Sequence, residues 1–173
     1  MINHNEYSFK KHLHNYSIWT AARAVQRSFT STKKIKNAID GSTLQQFADD
    51  DKIITESEFE QFHRLCANSI INLLTEDDVS NATYGRAAKI IAIYLKTSVI
   101  IPNKGQCQRS TIIHPPIDGI LLTALAADLG RTNIKFMPWT QLTETDYWSL
   151  VSQIKAIPRS FDWRLEKYWT PET

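Results

Sequence analysis

The chain has 173 residues, a net charge of +2, five glycines and two cysteines. That length suits one ordinary domain, which buries about two-thirds of its unfolded surface and needs no covalent staples. Cys66 and Cys107 lie far apart in sequence with no C-x-x-C spacing, which argues against a disulfide scaffold or a cysteine-rich zinc site and for a reducing, cytoplasmic setting.

The first residues lack the basic start and apolar run of a signal peptide, and no apolar stretch approaches a membrane span, so no membrane partner is expected. Charge is segregated along the chain. Residues 1 to 38 carry seven Lys or Arg against one Glu, and residues 39 to 80 carry ten acids against two bases. Residues 81 to 135 are basic again, with seven against two; the tail is nearly balanced, with four bases and five acids. Two basic stretches meeting in space would make a positive face that attracts phosphate backbones, whereas the same charges on separate amphipathic helices would only be solvated sides.

Helical periodicity dominates the pattern. From about Tyr7 to Phe29, Phe9, Leu13, Tyr16, Ala21, Ala24, Val25 and Phe29 make an i, i+3/i+4 stripe. Thr30 or Ser31 can cap a short helix, Thr32 to Ile39, stopped at Asp40-Gly41. Thr55 with Glu58 forms a capping box that opens a helix to about Leu74, with Phe59, Phe62, Cys66, Ile70 and Leu73 inward.

A third helix, about 80 to 97, is apolar nearly all round through Ala87–Leu95 and should be the centre of the core, with Lys89 as its one exception. Residues 99 to 102 have no clear assignment, and Asn103 to Thr111 reads as an exposed basic loop. Pro115-Pro116 then pre-sets a helix from Ile117 to Ala127, ended at Gly130. Thr143 with Asp146 opens another to about Ile157, stopped by Pro158, and a last short helix covers Phe161 to Tyr168. The expectation is an all-α class, a single compact domain over residues 1 to 173 with about seven helices around the central one.

No phosphate-cradling glycine motif, nucleophile elbow or H-E-x-x-H is present, so nucleotide and serine hydrolysis are excluded as first choices. His4, His12, His14, His63 and His114 are scattered, and neither a metal nor another cofactor is expected. The informative stretch is Tyr84 to Lys96 followed by His114-Pro-Pro-Ile-Asp118. A lysine in an apolar helix loses hydration when charged, which favours the neutral amine that Schiff-base chemistry needs. An aspartate opening a helix sits in the positive field of the backbone dipole and stays ionised. Asp118 can therefore accept a proton or steady a cationic sugar.

This pairing, Lys89 and Lys96 separated by six residues and then Pro116-Ile-Asp118, resembles the helix-hairpin-helix DNA glycosylases, most nearly their archaeal 8-oxoguanine branch. The resemblance spans about forty residues and lacks the L-P-G-x-G hairpin of the wider superfamily. It implies removal of a modified base from DNA, in repair or defence, with Asp118 as the catalytic carboxylate and Lys89 or Lys96 as the attacking amine. Lys89, in the more apolar surroundings, is preferred. The N-terminal string Ser17 to Arg27 is also similar to a small uncharacterised bacterial family.

Trp19, Arg23 and Arg27 recur every four residues on one helix face, where they either stack on a base and clamp phosphate or pack and pair with the acidic middle segment. Arg86, Lys104 and Arg109 complete the nucleic-acid-binding candidates. Trp139 and Trp148, in a ring-rich C-terminal region with Trp163 and Trp169, are candidates for stacking on an extruded base, against the commoner use of Trp in a core. Two readings compete with an enzyme. One is a non-enzymatic helical module that binds DNA or an acidic protein; the other is a homodimer in which the acidic middle covers the basic face of a second copy.

Overall fold

A computed structural model describes residues 7–130, 132–156 and 160–170. His4, the expected helix end at Ile157 and the stop at Pro158 lie outside them. The described residues are helical without strands, as the periodicity predicts: α1 (Phe9–Val25), α2 (Thr32–Gly41), α3 (Leu44–Asp49), α4 (Glu56–Glu76), α5 (Tyr84–Leu95), α6 (Gly119–Leu129), α7 (Thr132–Lys135) and α8 (Glu144–Lys155). No described helix is long and apolar enough to cross a membrane.

Local chemistry sets the boundaries. Ser8, Ser31 and Thr83 accept backbone N–H groups at the starts of α1, α2 and α5. Full capping boxes open α4 (Thr55 with Glu58) and α8 (Thr143 with Asp146). Gly130 ends α6 in the left-handed conformation that a side chain would strain, with φ of 61°. The Thr55 cap has a measurable weight. Thr55→Ala removes one acceptor and frees Glu58, and it should lower the unfolding free energy by about 1 kcal/mol, read as a shift of the urea midpoint without a change of slope.

The core is organised around α5, ten of whose twelve residues are buried. α1 lies along one side of it and α4 along another, with α2 bridging those two. The apolar string Ala87–Leu95 has neighbours on nearly every face, which is why it needs no polar side. Its C-terminal continuation departs from the expected plain helix. Residues Lys96–Ile100 form a π-helical turn in which the Ile101 N–H donates to the Lys96 carbonyl at 2.9 Å.

Asn103 to Thr111 differs from the expected exposed basic loop. Lys104 is exposed, but Arg109 is buried at 6% exposure, with its terminal nitrogens donating to the backbone carbonyls of Phe47 and Asp50 and its guanidinium 4.2 Å from the Phe47 ring centre. Arg109 therefore pins this segment to α3 and is withdrawn from the set of nucleic-acid contacts. A short 3-10 turn, Gln108–Thr111, forms around it.

Candidate functional site

The carboxylate of Asp118 is oriented by its own helix. As N-cap of α6, its Oδ1 accepts the backbone N–H groups of Ile120 and Leu121, both at 3.0 Å, which leaves Oδ2 free to point elsewhere. Oδ2 accepts from Lys89 Nζ at 3.1 Å. Lys89 reaches it from the middle of α5 with only 10% of its side chain exposed. The amine also lies 4.4 Å from the centre of the Trp139 ring, a cation–π contact.

Trp139 owes that position to a glycine. Its 3-10 turn, Trp139–Gln141, lies against the first turn of α5, where the Gly85 N–H donates to the Leu142 carbonyl at 3.0 Å and the Thr83 hydroxyl to the Thr140 carbonyl at 2.7 Å. A Cβ on residue 85 would stand 1.9 Å from the Trp139 carbonyl oxygen, so only glycine permits this approach.

Lys89 and Asp118 open into a cavity of about 500 Å³. Tyr16, Thr20 and Ala24 of α1 form one wall; Lys89 and Ile93 of α5, then Lys96 and Thr97 of the π turn, form the next. The extended Pro115-Pro116 segment that precedes α6, with Ile120 and Leu121, closes a third side, and the C-terminal segment contributes Leu165, Glu166, Tyr168 and Trp169. Seven residues make about two helical turns, so Lys89 and Lys96 share the cavity face. Lys96 is matched by Glu166 at 2.7 Å, beneath the ring of Trp169 at 5.8 Å. The site thus offers paired cations and carboxylates between apolar and aromatic walls.

Of the residues singled out in the sequence, Lys89, Lys96 and Asp118 come together here. Trp19 and Arg23 lie exposed on α1 next to the cavity wall; Arg27 is exposed too, but the helix stops at Val25 instead of running to Phe29, so Arg27 sits in the following turn and not on the same helix face. Arg86 is half-buried, donating to the Asn81 carbonyl at 2.7 Å with its guanidinium over Phe29, and does not line the cavity. Neither Trp139 nor Trp148 lines it either. Trp139 backs the Lys89 amine, and Trp148 stacks under the Arg64 guanidinium at 4.1 Å in a different part of the core. Rings that do face the cavity are Tyr16, Tyr168 and Trp169. Glu166 is the residue that sequence reasoning misses, because its partner is seventy positions away.

Trp148 belongs to a buried chain of rings around α4 and α8. Its indole N–H can only donate, and it donates to the Tyr84 hydroxyl at 3.0 Å. The chain continues from the Tyr84 hydroxyl to His63 Nδ1 at 3.0 Å, from His63 Nε2 to the Tyr147 hydroxyl at 3.4 Å, and from that hydroxyl to His114 Nδ1 at 2.9 Å. Every member is neutral in this arrangement. Burial, with Arg64 nearby, holds the His63 value down to about 3, and burial beside His63 and Lys155 pushes His114 well below the usual imidazole range. His114 Nε2 is buried without a hydrogen-bond partner, and the rings of Phe59 and Phe161 pack edge-on against its imidazole.

Among the described residues no cluster of three His, Cys, Asp or Glu side chains could hold a metal ion. No known protein family, curated protein or solved structure matches the chain.

Proposed function

We propose that the cavity is the active site of a DNA glycosylase-like protein, with Lys89 as nucleophile and Asp118 as the carboxylate that relieves it of its proton. The carrying observation is the Lys89–Asp118 pair at 3.1 Å, held at the wall of a cavity whose volume lies within the range of about 300–1,000 Å³ usual for small-molecule sites. A nucleobase suits such walls. It has flat apolar faces and an edge with both donors and acceptors, which a paired ammonium and carboxylate can meet together.

In this reading Asp118 Oδ2 takes a proton from the Lys89 ammonium, and the amine attacks C1′ of the deoxynucleoside. The Nζ–C1′ bond forms as the glycosidic bond breaks, the electron pair leaving with the base, which receives the proton from Asp118. The new secondary ammonium passes a proton to O4′ as the C1′–O4′ bond opens, leaving a C1′ iminium on Lys89. Borohydride reduces that iminium to a stable amine.

The test is trapping with borohydride on DNA containing 8-oxoguanine, uracil or phage-type modified bases. A covalent complex is expected for the wild type and for Lys96→Gln, and none for Lys89→Gln. Asp118→Asn keeps the helix cap but not the proton acceptor, so trapping should slow by about 10²- to 10⁴-fold. Absence of any complex across these substrates would reject the excision chemistry. One observation favours the non-enzymatic alternative: both cavity lysines already have carboxylate partners. That reading is distinguished by DNA binding that persists without any trapped product.

A further inference from the structure

The wall that α1 gives to the cavity continues outward as an aromatic and then cationic ridge. Tyr16 lines the cavity, and Trp19, one ridge away, stacks on it with ring centres 5.8 Å apart and planes inclined by 21°. Both rings are 51% exposed, so a flat aromatic surface stands open to solvent at the cavity edge. Arg23 follows Trp19 one turn on, about 6 Å along the helix, and Arg27 lies in the turn just past the helix end at Val25. Both are exposed, and among the described residues neither has an ion-pair partner. Elsewhere at the cavity the positive charge is spent, Lys89 on Asp118 and Lys96 on Glu166.

We infer that this ridge is a stacking platform for an unpaired nucleotide next to the one in the cavity, and that the protein acts on single-stranded or locally unpaired DNA rather than on intact duplex. The inference rests on the proposed function for its direction, since it places the strand beside the cavity. A duplex presents base edges in its grooves and keeps the ring faces stacked inside. An open ring pair such as Tyr16–Trp19 has nothing to meet on such a surface, but it matches the face of an unpaired base of any sequence. Arg23 and Arg27 then supply the charge complementary to the phosphates that follow that base.

Fluorescence anisotropy with a short labelled oligothymidylate and a blunt duplex of the same length tests this. The wild type should bind the single strand at least tenfold more tightly. Trp19→Ala should weaken that binding by about 5- to 150-fold, the range of losing one base–aromatic stack. Trp19→Phe should restore most of it. The double variant Arg23→Ala, Arg27→Ala should lower the slope of log affinity against log salt by about 1.4. Equal affinity for duplex, no binding of either DNA, or a Trp19→Ala variant indistinguishable from wild type would overturn the platform. Oligothymidylate contains no excisable base, so the two proposals fail separately. Binding without trapping removes only the excision chemistry, whereas trapping with binding indifferent to Trp19 removes only the platform.

Discussion

Lowering the pH from 6.5 to 4.5 is expected to cost the fold about 5 kcal/mol, a large part of the stability of an ordinary domain. The source is the buried ring chain. In the unfolded protein His63 and His114 take up protons near 6.5, but in the folded protein His63 stays neutral down to about 3 and His114 is also held far below its ordinary value. Between those limits the unfolded state binds more protons, so stability is complete above 6.5 and falls as pH falls, by about 1.4 kcal/mol per pH unit for each histidine. The carboxylates do not confuse this window. Hydrogen bonds from Thr55 hold Glu58 below its usual value, Asn68 and Arg64 do so for Glu144, and Thr143 for Asp146, so their contributions are lost only at pH below about 4.5. Urea unfolding at half-unit pH steps measures the slope. The double variant His63→Phe, His114→Phe should lose most of that slope, whatever its absolute stability. A wild-type slope indistinguishable from that of the double variant would show that these histidines are not the buried neutral pair described.

That pair also marks the boundary of what sequence can disclose. His63 and His114 are fifty-one positions apart in the chain, yet their ring centres stand 5.4 Å apart with Tyr147 bonded to both. No local rule predicts such closure. Local rules do predict the capping boxes at Thr55 and Thr143, the left-handed stop at Gly130 and the central position of α5, because each depends on backbone groups within a few residues or on the periodicity of one helix.

The site is legible to the same depth. The apolar setting of Lys89 and the helix-opening position of Asp118 are both local, and both hold. Their meeting across twenty-nine residues follows from how α5 and α6 pack. Trp139 and Trp148 show the limit in the other direction. Large rings are conspicuous in sequence, but nothing local decides whether a ring lines a cavity, backs a lysine or ends a buried hydrogen-bond chain. Arg109 likewise sits in a polar stretch that reads as loop, and it is buried because Phe47 and Asp50 offer it carbonyl acceptors from α3 and the residue after it.

Replacing Gly85 by alanine should be among the most damaging single-methyl changes in the protein. In an open helix the exchange would stabilise by about 0.5–1 kcal/mol, because glycine loses more backbone freedom on folding. Here the added methyl meets backbone, 1.9 Å from the Trp139 carbonyl oxygen and 3.1 Å from Leu142 Cβ, and no rotamer change can relieve it. The 3-10 turn must move away from α5, which also breaks the bond from the Gly85 N–H to the Leu142 carbonyl. Overpacking and a buried unsatisfied donor together put the loss at about 3–5 kcal/mol by urea unfolding. Gly119→Ala is the control. Nothing lies within 4 Å of its Cβ position, so its effect should be within about 0.5 kcal/mol of neutral. The Gly85 variant should also lift the Trp139 ring from the Lys89 amine, while Asp118, fixed by its own helix cap, keeps its place. If the excision chemistry depends on the Lys89–Asp118 pair, a Gly85→Ala protein that still folds at low temperature will retain borohydride trapping at a reduced rate. Complete loss of trapping in that folded variant would instead make the Trp139 ring an essential part of the site.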